Sequence, residues 1–277
     1  MLVLILYAFS AVFSLTHGLE WNSVKVKYTA LFDGFYSIPL TVNDIKGEYV
    51  YLETHKEFPK ASLYCYPNDP RVCPIYDGYG RICGLRVAYV KKDLAVRAKG
   101  NLPYSYNKPI FKEGTAYGMD FYYIDVLFIK PEELLANGGP ASRTEQVGDG
   151  VYIRMDGQTW TEMPRKEKDA TAVGFTKQAC FLGMGLHYFY NMTKGLDCNY
   201  HQPPFLLYEK GELAGLGLIP FGSFSKTKRG WFEDPPKFVI NTIVPNSPKC
   251  LADWVGKYGT ISLHIFFKKS PRLTCLL

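Results

Sequence analysis

The chain has 277 residues, of which 47% are hydrophobic and 21% are charged. This balance excludes an intrinsically disordered chain, which would be poor in apolar residues and rich in charge. The formal net charge of +6 comes from basic residues spread along the chain, whereas a nucleic-acid-binding protein usually concentrates them on one element, so we expect no nucleic-acid partner.

Residues 1–18 have the pattern of a secretory signal peptide. An apolar run from Leu2 to Phe13 leads into small and polar residues, and it is too short to cross a membrane. We expect cleavage near Gly18, with a retained anchor as the alternative, and no transmembrane helix further along. Asn191 begins the one N-glycosylation sequon, so the sequence predicts a secreted, extracellular glycoprotein.

A hydrophobic period of two runs through most of the chain and predicts a mainly β protein. Two hairpins are expected. The first covers 151–163 with a two-residue turn at Asp156-Gly157, and the second covers 205–218 with its turn at 209–211. The other strand candidates are residues 24–32, 48–53, 62–66, 84–90, 118–129, 237–244 and 261–268.

Helix signals are few. Residues 131–136 begin with proline and two glutamates, and residues 249–257 follow a Ser-Pro pair that reads as an N-cap and first helical position. Many short strands with few short helices favour an antiparallel barrel or sandwich, and we expect two or three short helices.

A linker is predicted at residues 138–146, which contain two glycines and a proline near the middle of the chain. An aromatic strand followed by lysine and proline closes each half, at 122–131 and at 264–271. This sequence similarity between the two halves favours two related β-units, one over 19–137 and one over 147–277. The second unit is expected to be barrel-like.

The seven cysteines are an odd number, and in an oxidising compartment most of them should pair. Three lie in the first half and four in the second, so we expect one free thiol among Cys65, Cys73 and Cys83. No pair has CxxC spacing, which favours structural disulfides over metal ligation. The four second-half residues predicted to be bridged are Cys180, Cys198, Cys250 and Cys275.

Histidine and methionine provide the candidate site. Glycines flank Met184, which should bring it close to His187. His264 lies in an apolar strand, on the same face as Ser262, and His201 lies in a loop. Imidazole with thioether suits copper, and imidazole with carboxylate suits zinc. The alternative is that each histidine is hydrogen-bonded in the core, with no ligand.

No catalytic residue can be named, and whether the protein is an enzyme stays open. The chain has no GxSxG, P-loop or GxGxxG motif in the required context. Asp125 lies inside an apolar strand candidate, and a buried acid must be paired or protonated. We therefore expect it to have a structural partner such as an arginine.

Aromatic residues are numerous, with 21 tyrosines and 18 phenylalanines. They could line a cavity for an apolar small ligand, or they could simply fill a core. The first interpretation makes an apolar small molecule the candidate partner.

The motif at 180–188 reads Cys-x-x-x-Met-Gly-x-His-Tyr, and a hairpin with a glycine turn follows it. Over about residues 180–267, the chain resembles a small family of secreted bacterial domains described as β-barrels of unknown function. It is also similar to uncharacterised secreted proteins of arthropods. The resemblance implies a β-barrel and singles out His187 and His264, but it implies no activity.

The sequence thus predicts an extracellular binding or structural β-barrel, with an apolar small ligand as the candidate partner. The alternative is a copper-binding or zinc-binding protein, or a metalloenzyme, centred on His187 and His264.

Overall fold

The computed structural model describes residues 19–29 and 34–275, so the predicted signal peptide lies outside the described residues. Within them the chain forms two antiparallel sheets with short helices, which confirms the mainly β prediction. Neither sheet closes on itself in the described ranges. The sandwich is therefore the architecture found, and the barrel expected for the second half is not.

Sheet I is built from the first half of the chain and two short later strands. Its order is β10-β9-β8-β6-β5-β4-β3, with β7 paired to β8. All nine residues of β6 are buried, because both faces of this central strand are covered. The strands are β3 (Val50–Thr54), β4 (Ser62–Cys65), β5 (Val72–Tyr76), β6 (Ile82–Val90), β7 (Lys112–Ala116), β8 (Met119–Leu127), β9 (Tyr152–Ile153) and β10 (Thr161–Glu162).

Sheet II combines the beginning and the end of the described chain. Its order is β11-β12-β13-β14-β15-β1-β2. The first strand covers only the start of the predicted segment 24–32, part of which lies outside the described residues. The strands are β1 (Val24–Val26), β2 (Tyr36–Ile38), β11 (Phe175–Phe181), β12 (Gly185–Tyr190), β13 (Pro204–Glu209), β14 (Glu212–Leu218) and β15 (Leu263–Phe266).

The two sheets share one hydrophobic core. Val87 of sheet I and Leu216 of sheet II belong to the same buried cluster, and the rings of Phe128 and Phe267 lie 5.2 Å apart. A second cluster, which includes Phe58 and Cys83, packs on the other face of sheet I. The outer face of sheet II is covered by a helix.

The helices lie between strands. Both predicted helices are present, as α2 and α4, and α2 ends at a glycine with a φ of 77°, as expected of a left-handed C-terminal cap. No described helix is long and apolar enough to cross a membrane. The helices are α1 (Lys91–Leu94), α2 (Pro131–Asn137), α3 (Lys237–Ile243) and α4 (Lys249–Tyr258).

The strand predicted at 237–244 is wrong, because this segment forms α3. Its β-branched residues favour a strand by local preference. However, Ile240 and Ile243 are buried three positions apart while Phe238 is 79% exposed. That spacing fits one apolar helix face, so packing against sheet II overrides the local preference.

Both predicted hairpins are present, but only one has the expected turn. In β13–β14, Lys210 and Gly211 have φ angles of 50° and 80°, as a two-residue turn of this kind requires. Between β9 and β10 the loop covers residues 154–160, and Asp156 accepts hydrogen bonds from the backbone of Gln158 and Thr159. The two-residue turn predicted at Asp156-Gly157 is therefore wrong.

The sheets do not divide at the predicted linker. Strands β9 and β10 follow residues 138–146 but lie in sheet I, and β1 and β2 precede them but lie in sheet II. Each half of the chain thus contributes strands to both sheets. The division into two related units stays a prediction.

Three disulfides pair six of the seven cysteines. As predicted, the free thiol is one of the three first-half cysteines. All second-half cysteines are bridged, and the free thiol belongs to Cys83, which is buried. Burial raises the pKa of this thiol well above its usual value. The bridges are Cys65–Cys73, Cys180–Cys275 and Cys198–Cys250.

We expect Cys83 to be unreactive toward a thiol reagent in the folded protein, because it is fully buried and protonated. Non-reducing titration with a chromogenic disulfide reagent should detect less than a tenth of a thiol per chain in buffer and about one in denaturant. Rapid reaction in buffer, or three thiols in denaturant, would contradict this cysteine arrangement.

Candidate functional site

A partly open cavity of about 300 Å³ lies between the outer face of sheet II and helix α3. Its lining is almost entirely apolar and includes aromatic, aliphatic and proline side chains. Three of the four ligand candidates named from the sequence lie in it, namely Met184, His187 and His264. Ser262, expected on the same face as His264, lines it as well.

Strand alternation aims both histidines at the cavity. His187 and Phe189 are two residues apart on β12, so they share a face of the sheet. On the next strand, Phe205 is the partner of Phe189. On β15, His264 is the partner of Gly217 of β14. Strands β12, β13 and β15 therefore each present a ring toward α3, whereas β14 presents a glycine.

Gly217 makes room for the ring of Phe205. A Cβ atom at this position would overlap Cζ of Phe205, so only glycine lets that ring lie over β14. The ring then lies beside both imidazoles, with centroid distances of 5.7 Å to His187 and 5.0 Å to His264. The two imidazole centroids are 6.0 Å apart.

His187 is neutral and presents a lone pair to the cavity. Its Nδ1 lies 3.2 Å from the carbonyl oxygen of Ala179, and because a carbonyl only accepts, Nδ1 must carry the proton. Its buried Nε2 has no hydrogen-bond partner among the described residues. Burial, followed by the neighbouring His264, lowers the pKa of His187 to about 3, so the ring is uncharged at neutral pH.

A half-buried carboxylate holds His264 in place. Nδ1 of His264 donates to Oε2 of Glu233 at 2.6 Å, and the hydroxyl of Ser262 donates to the same oxygen at 3.1 Å. The backbone N–H of Tyr28 donates to the other oxygen of Glu233. Nε2 of His264 is buried and, in the described part of the chain, has no hydrogen-bond partner.

Helix α3 forms the opposite wall of the cavity. Val239, Ile240 and Ile243 face inward, while the neighbouring Phe238 points to solvent. Met184 contributes the thioether from the turn between β11 and β12, where Gly183 and Gly185 have φ angles of 75° and 117°. The flanking glycines thus permit the tight turn that brings Met184 to the same cavity as His187.

His201 lies elsewhere. It is buried beside Tyr104 and Phe221, and its Nε2 lies 2.8 Å from the carbonyl oxygen of Ile219. Burial lowers the pKa of His201 to about 4. It is not among the residues that line the cavity.

Carboxylates do not assemble a metal-ligand set. In residues 19–29 and 34–275, no three His, Cys, Asp or Glu side chains gather where they could hold a metal ion. Asp125 instead pairs with Arg86, through an Nε–Oδ1 distance of 2.7 Å, and contacts His55 at 3.2 Å. The ion pair keeps the pKa of Asp125 below its usual value despite its burial, so the expected arginine partner is present.

Sequence reasoning missed Glu233 and the whole of α3. Glu233 is followed by an acid and two prolines, and nothing in that spacing links it to a histidine 31 residues later. A buried acceptor for His264 was nevertheless implied, because a histidine in an apolar strand needs a partner.

Comparison with family models, curated proteins and solved structures finds no match to this chain. The resemblance noted in residues 180–267 therefore stays a prediction.

Substituting Gly217→Ala should destabilise the protein by about 1–3 kcal/mol, because the new methyl group must displace the ring of Phe205 in a packed wall. Urea unfolding followed by tryptophan fluorescence would measure the loss. Gly195→Ala is the matched control, since a Cβ at Gly195 meets no atom within 4 Å. Equal stability of the two variants would contradict the packing described for Gly217.

Proposed function

We propose that this protein is an extracellular binding protein that holds a small, mostly apolar molecule in the cavity between sheet II and α3. The observation that carries the proposal is the cavity itself, whose volume of about 300 Å³ is at the lower end for ligand pockets. The cavity is partly open, and its apolar lining with a few polar groups is the combination that small-molecule sites present. A small, mostly apolar molecule is therefore the occupant that this cavity fits best.

The lining suits an aromatic or short aliphatic molecule. Phe181, Phe189 and Phe205 offer ring faces and edges on the sheet side, and Val239 and Ile240 offer aliphatic contacts on the helix side. Ligand sites of this kind combine an apolar wall with a few polar groups that fix orientation. The two imidazoles and Glu233 supply those polar groups.

The cysteines and the apolar leader support an extracellular compartment. Three disulfides are consistent with an extracellular protein, because such bonds persist in oxidising compartments. The apolar leader at 1–18 supports secretion. Asn191 is exposed in the turn after β12, where it would be accessible for glycosylation. The resemblance to secreted domains over 180–267 belongs to the same proposal.

Metal binding is the second candidate. The observation that favours it is that two imidazoles with unpartnered Nε2 atoms and the Met184 thioether line one cavity. Imidazole and thioether together suit copper better than zinc. Glu233 is hydrogen-bonded to Nδ1 of His264, and no three His, Cys, Asp or Glu side chains of the described ranges are placed to hold a metal ion, so apolar ligand binding is preferred.

We expect the neutral fluorophore 1-aminoanthracene to bind the native protein and to fluoresce more strongly in the apolar cavity. Val239→Trp should reduce its affinity at least tenfold, because the larger side chain fills the space beside the ligand. Phe238→Trp is the matched control on the same helix, since that side chain points to solvent. Fluorescence titration gives both dissociation constants.

Equal affinity of the two tryptophan variants, or no binding to the native protein, would refute the proposed cavity function. Elemental analysis of the same purified protein, with His187→Ala as control, tests the metal alternative. About one copper or zinc ion per chain, lost in the variant, would favour metal binding instead.

Glycosylation is tested separately in a eukaryotic secretory host. We expect the native chain and Lys194→Ala to carry one N-glycan, and Thr193→Ala to lack it, because the hydroxyl residue completes the sequon. Substituting threonine avoids strain at Asn191, whose φ is 48°. Gel mobility with and without glycosidase would detect the glycan, and an unmodified native chain would contradict the prediction.

A further inference from the structure

Two polar atoms in the cavity lack partners. His187 and His264 are 1% and 5% exposed, and the Nε2 atom of each has no hydrogen-bond partner among the described residues. A buried polar atom without a partner costs free energy that a bound group could recover. The chemistry of these two atoms therefore restricts what the cavity can hold.

His187 offers only an acceptor. Its Nδ1 proton is committed to the carbonyl oxygen of Ala179, so Nε2 carries the lone pair of a neutral ring. A ligand atom that meets it must be a donor. A carboxylate or ether oxygen there would face a lone pair with no hydrogen between them, and the carboxylate of Glu233 nearby adds like-charge repulsion against any anion.

His264 offers either an acceptor or a donor. Its Nδ1 proton is committed to Glu233, so Nε2 is a lone pair when the ring is neutral and an N–H group when the ring is charged. The imidazole centroids are 6.0 Å apart, so one small polar group between the rings is within reach of both.

We propose that the ligand is an apolar alcohol or phenol whose hydroxyl group donates a hydrogen bond to Nε2 of His187. This inference rests on the proposed binding function and specifies its ligand class. A hydroxyl group both donates and accepts. It can therefore donate to Nε2 of His187 whether the His264 ring is neutral or charged, and it can also accept from Nε2 of His264 when that ring is charged. The remainder of the ligand contacts the apolar walls.

Calorimetric titration with three matched probes tests the ligand class. The probes are 4-propylphenol, 4-propylanisole and 4-propylbenzoate, which share the apolar body and differ in the polar group. We expect the phenol to bind about tenfold more tightly than the anisole, which is about 1.4 kcal/mol, and the benzoate to bind more weakly than both. Equal affinities for the phenol and anisole, or tighter binding of the benzoate, would overturn the proposal.

Two variants assign the preference to His187. His187→Phe keeps a ring but removes the acceptor of the proposed hydrogen bond, so the preference for the phenol over the anisole should fall well below tenfold. Phe238→Leu is the control, since that side chain points to solvent and both imidazoles are kept, and the tenfold preference should persist. A tenfold preference that survives His187→Phe, or one that disappears in Phe238→Leu, would overturn the assignment.

These outcomes separate the ligand class from the binding function. If 1-aminoanthracene binds and Val239→Trp weakens that binding, the cavity is a ligand site even if the protein binds 4-propylphenol and 4-propylanisole equally well. In that case the hydroxyl inference alone is overturned.

Discussion

The close approach of the Phe205 ring to Gly217 is the contact on which the cavity depends. Side chains on neighbouring strands normally stand side by side and fill the space above a sheet. Because β14 presents a glycine here, the ring of Phe205 can lie over that strand, next to both imidazoles. Helix α3 then spans the rings without filling the space above them, and this leaves an apolar cavity instead of a packed layer.

Covalent bonds fasten the elements around this cavity. Cys180 on β11 is bonded to Cys275, which fixes the C-terminal segment beside the turn that carries Met184. Cys198 is bonded to Cys250 at the start of α4, and α4 packs against α3. Both bridges close long loops, which restricts the unfolded chain most. The two bridges thus hold sheet II and the helices that lie over the cavity in place, independently of a ligand.

Local patterns predicted the parts of this site that lie on strands, and failed for the parts that tertiary packing decides. The glycine-flanked Met184 and the ring-rich strand with His187 were recognisable, because alternation fixes which face each side chain takes. The β-branched run of α3 was not, since its buried face exists only once sheet II is present. Glu233 was not either, because its pairing with His264 depends on the path of the chain between α3 and β14.

The three buried histidines named from the sequence differ in how they are placed, and this difference is the basis of the selectivity proposed for the cavity. His201 donates from Nε2 to the carbonyl oxygen of Ile219 away from the cavity, so it stabilises the fold. His187 and His264 each commit Nδ1 to the protein and leave Nε2 facing apolar space. A site built in this way discriminates strongly against a ligand that lacks the matching group, because binding such a ligand leaves a buried polar atom unpaired. If the cavity binds a small molecule as proposed, its apolar walls would provide affinity for many such molecules, and the lone pair of His187 would select among them.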